Sequence, residues 1–348
     1  MATKLALVVC CLTRYATTLI VATLVTLSAV AEENTNLENC AKIENGGQRL
    51  ACYDKSQKRL GSENQELIEV DNIEPAKEGV PTTVLENRYM AEQSLYENSF
   101  GILPYRRSYI LPLSYLDEVN EEPYSELLME APGEELQQYE IKFQYSFKVP
   151  IGRRFLLGDD QLYFGFTQLS LWQAYNSDLS SPFRENNYQP ELLWAIPLQE
   201  PIFNGRLNHI VLGLNHQSNG QAGELSRSWN RVTFDTAWAD EDWAVGLRLW
   251  YRLKEKSADD DNPDIERYLG YGHIQVGYRW DKYRFTGIFF NNLRRDENHT
   301  SVDISFSMPI SSKLRGFIQY YDGYGETLID YNHRNRRIGI GVVLSDWF

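Results

Sequence analysis

The stretch YEIKFQYSFK at residues 139–148 alternates between apolar and polar side chains along its whole length. Its odd-numbered positions are aromatic or aliphatic, and its even-numbered positions are polar or charged. Because successive side chains of a strand point to opposite faces, this pattern predicts a β-strand with one apolar and one polar face. A soluble β-sandwich also alternates, but large aromatics opposite charges favour a wall between lipid and a polar lumen.

Similar segments follow as far as the carboxy terminus. Two of them carry their apolar side chains on one parity, namely Val302, Ile304, Phe306 and Met308, and then Ile338, Ile340, Val342, Leu344 and Phe348. With strands and connectors of about ten residues each, residues 98–348 hold about twelve strands. We therefore predict an all-β fold, a transmembrane antiparallel β-barrel that satisfies its backbone hydrogen bonds by closing on itself. Four tryptophans are interpreted as membrane-interface anchors: Trp172, Trp229, Trp238 and Trp243.

Composition supports this class and excludes others. Aromatic residues make up 13% of the chain, which fits the aromatic girdles of a barrel, whereas a mean hydropathy of −0.45 excludes a bundle of membrane helices. The net charge of −14 argues against a nucleic-acid partner and favours divalent cations or a cation-coated surface.

The amino-terminal third is organised differently. Residues 1–31 have a basic start, an apolar core and the cleavage sequence Ala29-Val30-Ala31, which predicts a secretory signal peptide. An uncleaved membrane anchor is the alternative, although the apolar core is shorter than a spanning helix requires. Residues 32–97 are acidic and interrupted by prolines, and they are interpreted as a periplasmic extension and linker.

Two of the four cysteines remain once the signal segment is removed. Cys40 and Cys52 can form one disulfide, which an oxidising compartment favours and which would staple a short amino-terminal extension. Two free thiols are the alternative.

The run LGLNHQSNG at residues 212–220 carries the most informative polar side chains. His216 and Ser218 share the parity of Leu212 and Leu214, so a strand would place them on the apolar face. A polar pair on a lipid-facing surface is costly and therefore suggests either an interface or a chemical role. An imidazole beside a hydroxyl is the pairing of a general base with a nucleophile, although His-x-Ser alone is weak evidence.

Asn230 strengthens this hypothesis. If residues 220–226 form a hairpin, the next strand runs back beside His216 and can bring the Asn230 amide to the far nitrogen of the ring. Because an amide offers no negative charge, a metal ion would be a useful additional source of positive charge for an oxyanion. A turn or strand-edge amide is the alternative interpretation of Asn230.

Five sequence blocks resemble outer membrane phospholipase A of Gram-negative bacteria over residues 98–348. They are NHQSNG at 215–220, SRSWNR at 226–231, SSPFRE at 180–185, DDNPDI at 260–265, and GYGE with LIDYN at 323–332. The resemblance implies a twelve-stranded barrel with Ser218 as nucleophile, His216 as base and Asn230 as orienting residue. It also implies that the backbone amide of Gly220 holds the oxyanion.

The same resemblance implies a calcium cofactor and a dimer. Ca²⁺ would be bound by the backbone carbonyl of Gln221, the hydroxyl of Ser226 and the backbone carbonyl of Ser180 of the partner subunit. Gly223 replaces an aspartate of the family, which weakens the expectation of a second calcium site through Asp261. Gln168 corresponds to a polar glutamine of the family's dimer interface.

The implied function is hydrolysis of acyl esters, at sn-1 and sn-2, of membrane phospholipids and lysophospholipids. The enzyme would lie in the outer membrane of a Gram-negative bacterium, dormant as a monomer and active as a calcium-dependent homodimer. Two alternatives are a porin, in which His216 and Ser218 would face the lumen, and an adhesin that works through its acidic loops.

Overall fold

The computed structural model describes residues 42–43, 83–86, 88, 101–130, 133–257, 260–311 and 314–348. The predicted signal segment 1–31 and the predicted Cys40–Cys52 disulfide lie outside these residues, as does most of the segment 32–97. Residues 73–348 form one compact unit, which contains every strand of the described residues. None of the helices in these ranges has the length and apolar content needed to cross a membrane.

The unit is built almost entirely of antiparallel strands joined in chain order. The strands are β1 (Leu103–Pro104), β2 (Ser108–Leu116), β3 (Tyr139–Arg153), β4 (Gln161–Trp172), β5 (Phe183–Ile202), β6 (Gly205–Ser218), β7 (Ser228–Ala239), β8 (Trp243–Leu253), β9 (Gly272–Trp280), β10 (Tyr283–Asn291), β11 (Thr300–Pro309), β12 (Arg315–Tyr324) and β13 (Arg334–Ser345). Short helices lie in the loops: α1 (Ser125–Glu130), α2 (Ile265–Leu269) and the 3-10 turns Glu122–Tyr124 and Gly223–Leu225.

The strands β2 to β13 close into a ring of twelve. Each strand pairs with the next, β13 pairs with β2, and β3 pairs with both β2 and β4. β1 pairs with β3 beyond the end of β2, so β1 and β2 share one position in the ring. The predicted twelve-stranded barrel is confirmed.

The two faces of the wall follow the predicted parity. On β3, Tyr139 and Tyr145 are 50% and 42% exposed on the outside, whereas Glu140 and Lys142 are buried on the inside. β11 shows the same division between an exposed Ile304 and the buried Ser305 and Ser307. An apolar exterior around a polar interior is the arrangement that a membrane barrel requires.

The two ends of the barrel differ in their connections. The turns at 203–204, 240–242 and 281–282 lie at the end where β2 begins and β13 ends, which is called the short-turn end. Longer loops, including 117–138, 173–182, 219–227 and 254–271, lie at the opposite end. In outer-membrane barrels, the short turns face the periplasm and the long loops face the exterior of the cell.

The short-turn end is filled from inside by residues before β1 and after β13. Phe348 was predicted on the outer face, but it is buried in a cluster with Val84, Leu85 and three alanines of β7 and β8. The prediction was wrong because β13 ends at Ser345, after which strand parity no longer decides where a side chain points. Residues 83–86 and 88, which were assigned to the linker, therefore pack on the barrel.

Hydrogen bonds to backbone carbonyl oxygens attach these residues to the barrel. The Arg88 guanidinium donates to the carbonyl oxygens of Asp346 at 2.6 Å and of Pro104 at 2.8 Å. The Val84 amide donates to the Asp240 carbonyl oxygen at 3.0 Å. The lumen above this closure encloses a cavity of about 440 Å³.

The long-loop end is closed by buried ion pairs. The Arg184 guanidinium lies 2.5 Å from Glu140 Oε1 and 2.9 Å from Asp330 Oδ2, and all three side chains are inaccessible to solvent. Arg337 connects Glu140 to Glu326, at 3.0 and 2.8 Å. These contacts join three strands to the β12–β13 loop.

Glu326 extends the same network to Lys142, whose ammonium group lies 2.8 Å from the carboxylate. Burial alone would raise the pKa of Glu326, but the nearby Arg337 and Lys142 outweigh this effect and lower the pKa to about 2. The carboxylate therefore stays ionised inside the barrel, where its two cationic neighbours compensate it.

Replacing Arg184 by methionine should destabilise the barrel by about 3–5 kcal/mol, because it leaves two buried carboxylates without their shared cation. Denaturant unfolding in detergent or lipid measures this change in the free energy of unfolding. Arg336→Met is the matched control, since Arg336 pairs with Asp117 at 3.2 Å where both side chains are 54% exposed. The control should cost less than about 1 kcal/mol, and equal losses for both variants would contradict the assigned role of the network.

Candidate active site

The predicted histidine and serine lie at the long-loop end of β6, on the outside of the barrel. Leu212 and Leu214 on the same face are 39% and 55% exposed, and His216 is exposed in continuation of that row. Asn215, between Leu214 and His216, is buried on the lumen side. The porin alternative required His216 and Ser218 to face the lumen, and the structure places them on the opposite face.

His216 and Asn230 are direct partners across β6 and β7. The two residues are in register, and His216 Nδ1 lies 2.8 Å from Asn230 Oδ1. A carbonyl oxygen can only accept a hydrogen bond, so Nδ1 carries the proton in this contact and Nε2 is the basic nitrogen. The predicted hairpin therefore brings the amide to the imidazole.

Ser218 lies two residues beyond His216 on the same face, which corresponds to roughly 7 Å along the strand. It is half-buried and in register with Ser228 on β7 and Tyr188 on β5. A base held by an amide, with a hydroxyl next along the strand, is an arrangement suited to nucleophilic cleavage of esters.

The backbone after Ser218 turns sharply at Gly220. Its φ of +69° lies in the left-handed region, and a Cβ built there would come within 3.2 Å of the Tyr188 ring. A residue with a side chain would therefore be disfavoured both by the backbone conformation and by the close ring. Tyr188 was not singled out from the sequence, although its position on β5 places it beside the serine.

Asn219 organises the loop between β6 and β7. Its buried amide donates to the Leu225 carbonyl oxygen at 2.7 Å and accepts from the Arg227 amide at 3.0 Å. The Ser226 amide in turn donates to the Gly223 carbonyl oxygen at 3.1 Å. The loop is therefore a compact turn whose backbone is fixed by a single buried side chain.

Asn262 joins the β8–β9 loop to the start of β7. Its buried side-chain oxygen accepts from the Ser228 amide at 3.0 Å, and its carbonyl oxygen accepts from Arg252 at 3.1 Å. Arg252 also forms a 2.6 Å ion pair with Asp260. These contacts position the acidic run of this loop beside the loop that follows β6.

Two of the predicted cation ligands meet as a result. The Ser226 hydroxyl donates to Asp261 Oδ2 at 2.5 Å, and Gln221 is exposed in the same loop as Ser226. Ser180 lies in the β4–β5 loop with a φ of +61°, and its amide donates to the Ser177 carbonyl oxygen of that loop. No group of three or more His, Cys, Asp or Glu side chains in the described ranges could hold a metal ion, so carbonyl and hydroxyl oxygens would be needed.

Gln168 belongs to a polar tract on the outer face of β3, β4 and β5. Tyr145 donates to Gln168 Oε1 at 2.7 Å, Gln168 donates to Ser170 Oγ at 3.0 Å, and Ser170 donates to Asn186 Oδ1 at 2.7 Å. The side chains thus satisfy one another on a surface that is otherwise apolar. Because β5 lies between β4 and β6, this tract is close to the His216 strand.

The site is supported from the lumen by stacked side chains. Trp229, predicted to be an interface anchor, is instead fully buried inside the barrel and donates to Gln217 Oε1 at 3.0 Å. Arg231 lies 3.9 Å above the Trp229 ring and donates to Asn215 Oδ1 at 2.9 Å. These contacts link β6 to β7 directly behind His216 and Asn230.

Glu255 is a further site residue that sequence reasoning missed. Asn230 Nδ2 donates to Glu255 Oε1 at 2.8 Å, so the amide bridges the imidazole and a carboxylate. Leu253, at the end of β8, is in register with Asn230, and Glu255 follows it with the same parity. That parity was a usable signal, but it required the boundaries and register of β8.

Comparisons with known proteins agree with this geometry. Residues 85–344 match the family model described as Phospholipase A1, so the similarity begins ahead of residue 98. Phospholipase A1 of Klebsiella pneumoniae is 35% identical over 254 residues, which is 73% of this chain and 85% of that protein.

Two solved structures share the fold at 33% sequence identity. The Salmonella typhi outer membrane phospholipase dimer with bound calcium has a TM-score of 0.67 and covers 72% of this chain and 94% of its own. Outer membrane phospholipase A from Escherichia coli has a TM-score of 0.66, and the match covers 72% of this chain and 100% of that protein.

Single cysteines test which face the site occupies. In a background without other cysteines, Leu214→Cys should react with a membrane-soluble maleimide, because Leu214 is 55% exposed on the outer face. Thr233→Cys is the control, since Thr233 on β7 is 1% exposed on the lumen side and should resist the reagent. Labelling of position 233 with protection of position 214 would contradict the outward orientation of His216.

Proposed function

Since the chain belongs to the phospholipase A1 family, we propose that this outer-membrane barrel hydrolyses the sn-1 and sn-2 acyl esters of phospholipids and lysophospholipids with Ser218, His216 and Asn230. The observation that supports this most strongly is the 2.8 Å contact between His216 Nδ1 and Asn230 Oδ1 on the apolar outer face. That face is where the acyl chains of a membrane lipid lie, so a substrate can reach the site without leaving the bilayer.

The proposed reaction begins with proton transfer from the Ser218 hydroxyl to His216 Nε2 while the serine oxygen attacks the acyl carbonyl. Asn230 holds the imidazole through the Nδ1 proton, which leaves Nε2 unprotonated as the proposed acceptor of the serine proton. The imidazolium then gives the proton to the leaving glycerol oxygen, and the C–O bond of the lipid breaks. Water releases the fatty acid from the serine by the same steps in reverse order.

The backbone amide of Gly220 is the proposed donor to the oxyanion. Its left-handed turn follows Ser218 by two residues, so the amide leaves the strand ladder close to the nucleophile. A donor held in place before the charge develops stabilises the transition state without reorganisation.

Calcium is the proposed cofactor, as in the Salmonella typhi relative described with bound calcium. The oxygen donors fit a hard cation, because Ser226 lies against the Asp261 carboxylate and the exposed Gln221 is in the same compact loop. Ser226 and the Gln221 carbonyl would hold the ion together with Ser180 of the partner subunit, and Asp261 would add charge beside them. Bound there, Ca²⁺ supplies positive charge that favours the oxyanion.

A homodimer is the proposed active form, and the monomer is the proposed dormant form. The polar tract of Tyr145, Gln168, Ser170 and Asn186 lies on a face where lipid offers no hydrogen bonds, and a matching face of a second copy would cover it. The Salmonella typhi relative is described as a dimer. A second apolar wall would also turn the open Ser218 site into a cleft for acyl chains.

Ser218→Ala should lower phospholipase activity in calcium-containing micelles by at least about 1,000-fold, because the nucleophile is lost. A sulfonyl fluoride should modify the unaltered protein at Ser218 and leave the variant unlabelled. Ser228→Ala is the matched control, since this residue lies opposite Ser218 in register but donates only its backbone amide to Asn262. Undiminished activity of Ser218→Ala would overturn the proposed function.

Ser226→Ala should raise the calcium concentration needed for half-maximal activity by about tenfold or more, because a ligand oxygen is removed. Chemical cross-linking should show the dimer forming over the same shifted range. Gln221→Ala is the control, because its proposed ligand is the backbone carbonyl, which the substitution keeps. Equal calcium requirements in Ser226→Ala and the unaltered protein would exclude Ser226 as a ligand.

A further inference from the structure

We propose that Glu255 is a positioning residue that fixes the orientation of the Asn230 amide and supplies the negative charge that the Ser218-His216-Asn230 group itself lacks. This inference rests on the proposed hydrolase function. The observation that carries it is the continuous chain of contacts from His216 Nδ1 to Asn230 Oδ1 and from Asn230 Nδ2 to Glu255 Oε1, both 2.8 Å long.

The carboxylate selects one of two amide orientations. The oxygen and nitrogen of an asparagine side chain are nearly equal in size, so shape alone does not decide which one faces the imidazole. A carboxylate can only accept hydrogen bonds, and Glu255 therefore requires the NH₂ group of Asn230 on its side. The amide oxygen must then face His216.

The orientation of the amide determines which nitrogen of His216 is the base. An amide oxygen beside Nδ1 requires a proton on Nδ1 and leaves Nε2 unprotonated for Ser218. The reversed amide would donate to Nδ1 and place the proton on Nε2, where it would block the proposed proton transfer. Glu255 thus acts on the serine through two intervening residues.

Glu255 is held where it can do this. It lies half-buried in the β8–β9 loop. Asn262 of this loop accepts a hydrogen bond from the Ser228 amide, and Asp260 of the loop forms an ion pair with Arg252 of β8. The Glu255 carboxylate is separated from the imidazole by the Asn230 amide alone. Its negative charge can therefore stabilise the imidazolium that forms when His216 takes the serine proton. An aspartate in place of Asn230 would bring that charge directly to the ring, but it would face the Glu255 carboxylate.

The first experiment compares Glu255→Gln with Glu266→Gln, a control that removes the same charge from α2 of the same loop. At fixed pH and saturating calcium, Glu255→Gln should lower kcat by about tenfold or more, because a hydrogen bond to a charged group is lost. KM should change by less than about twofold, since Glu255 does not bind the substrate. Sulfonylation of Ser218 should slow by the same factor as kcat, while Glu266→Gln leaves all three values unchanged.

The second experiment moves the negative charge from position 255 to position 230. Asn230→Asp places two carboxylates against each other and should lose activity by about tenfold or more. Combining it with Glu255→Gln should recover at least about fivefold of that loss, because the glutamine amide can donate to the new carboxylate. A merely structural role for Glu255 predicts the opposite, with the double variant at least as impaired as either single variant.

The outcomes distinguish failure of the proposed hydrolase function from failure of the proposed role of Glu255. If Ser218→Ala keeps full activity, the proposed hydrolase site itself fails. If Ser218→Ala is inactive but Glu255→Gln matches its control in kcat and sulfonylation rate, the role of Glu255 is overturned and the hydrolase site stands. If the double variant does not recover activity, the proposal that Glu255 supplies the negative charge is likewise overturned.

Discussion

Charge compensation inside the lumen is the interaction on which the rest of this structure depends. An apolar outer surface forces the polar half of every strand inward, where carboxylates and guanidinium groups have little access to water. Arg184, Glu140, Asp330, Arg337 and Glu326 form buried ion pairs there with distances of 3.0 Å or less. Each pair costs desolvation energy, so the network stabilises the barrel only while it is complete. Its completeness fixes the strands relative to one another and closes the long-loop end of the lumen.

A separate set of lumen contacts supports the outer surface of β6 and β7. Trp229 and Arg231 stack inside the wall, and Gln217 accepts hydrogen bonds from both. His216 and Asn230 occupy the outer face of the same two strands, so their spacing is set by the strand ladder and by this inner support. A site built on paired strands keeps its geometry better than one built on loops. The proposed oxyanion donor, the proposed calcium ligands and Glu255 lie in loops instead, and buried Asn219 and Asn262 hold the β6–β7 and β8–β9 loops in place.

Strand parity was sufficient to predict the outward His216 and Ser218 and, with one hairpin, the approach of Asn230. The barrel required more, namely large aromatics opposite charges and a count of the strands, because alternation alone also fits a soluble β-sandwich. The errors came where another criterion replaced parity. Trp229 was assigned from its residue type, although an outward Asn230 requires its neighbour to point inward. Phe348 was assigned by continuing the parity past Ser345, where the chain leaves the sheet and turns into the lumen. Glu255 could not be found without the register of β8, which composition and spacing do not contain.

The outer face of a barrel also explains why an amide suits this position better than a carboxylate. Asn230 lies on β7 beside the apolar row of Leu212 and Leu214, where an ionised side chain facing lipid would be costly. A neutral amide avoids that cost, but it gives no charge to an imidazolium. Glu255 lies past the end of β8, in a loop at the edge of the wall that carries exposed, charged neighbours such as Lys254 and Lys256. The arrangement places the charge in a polar loop and conveys its effect to the apolar face through one hydrogen-bonded amide.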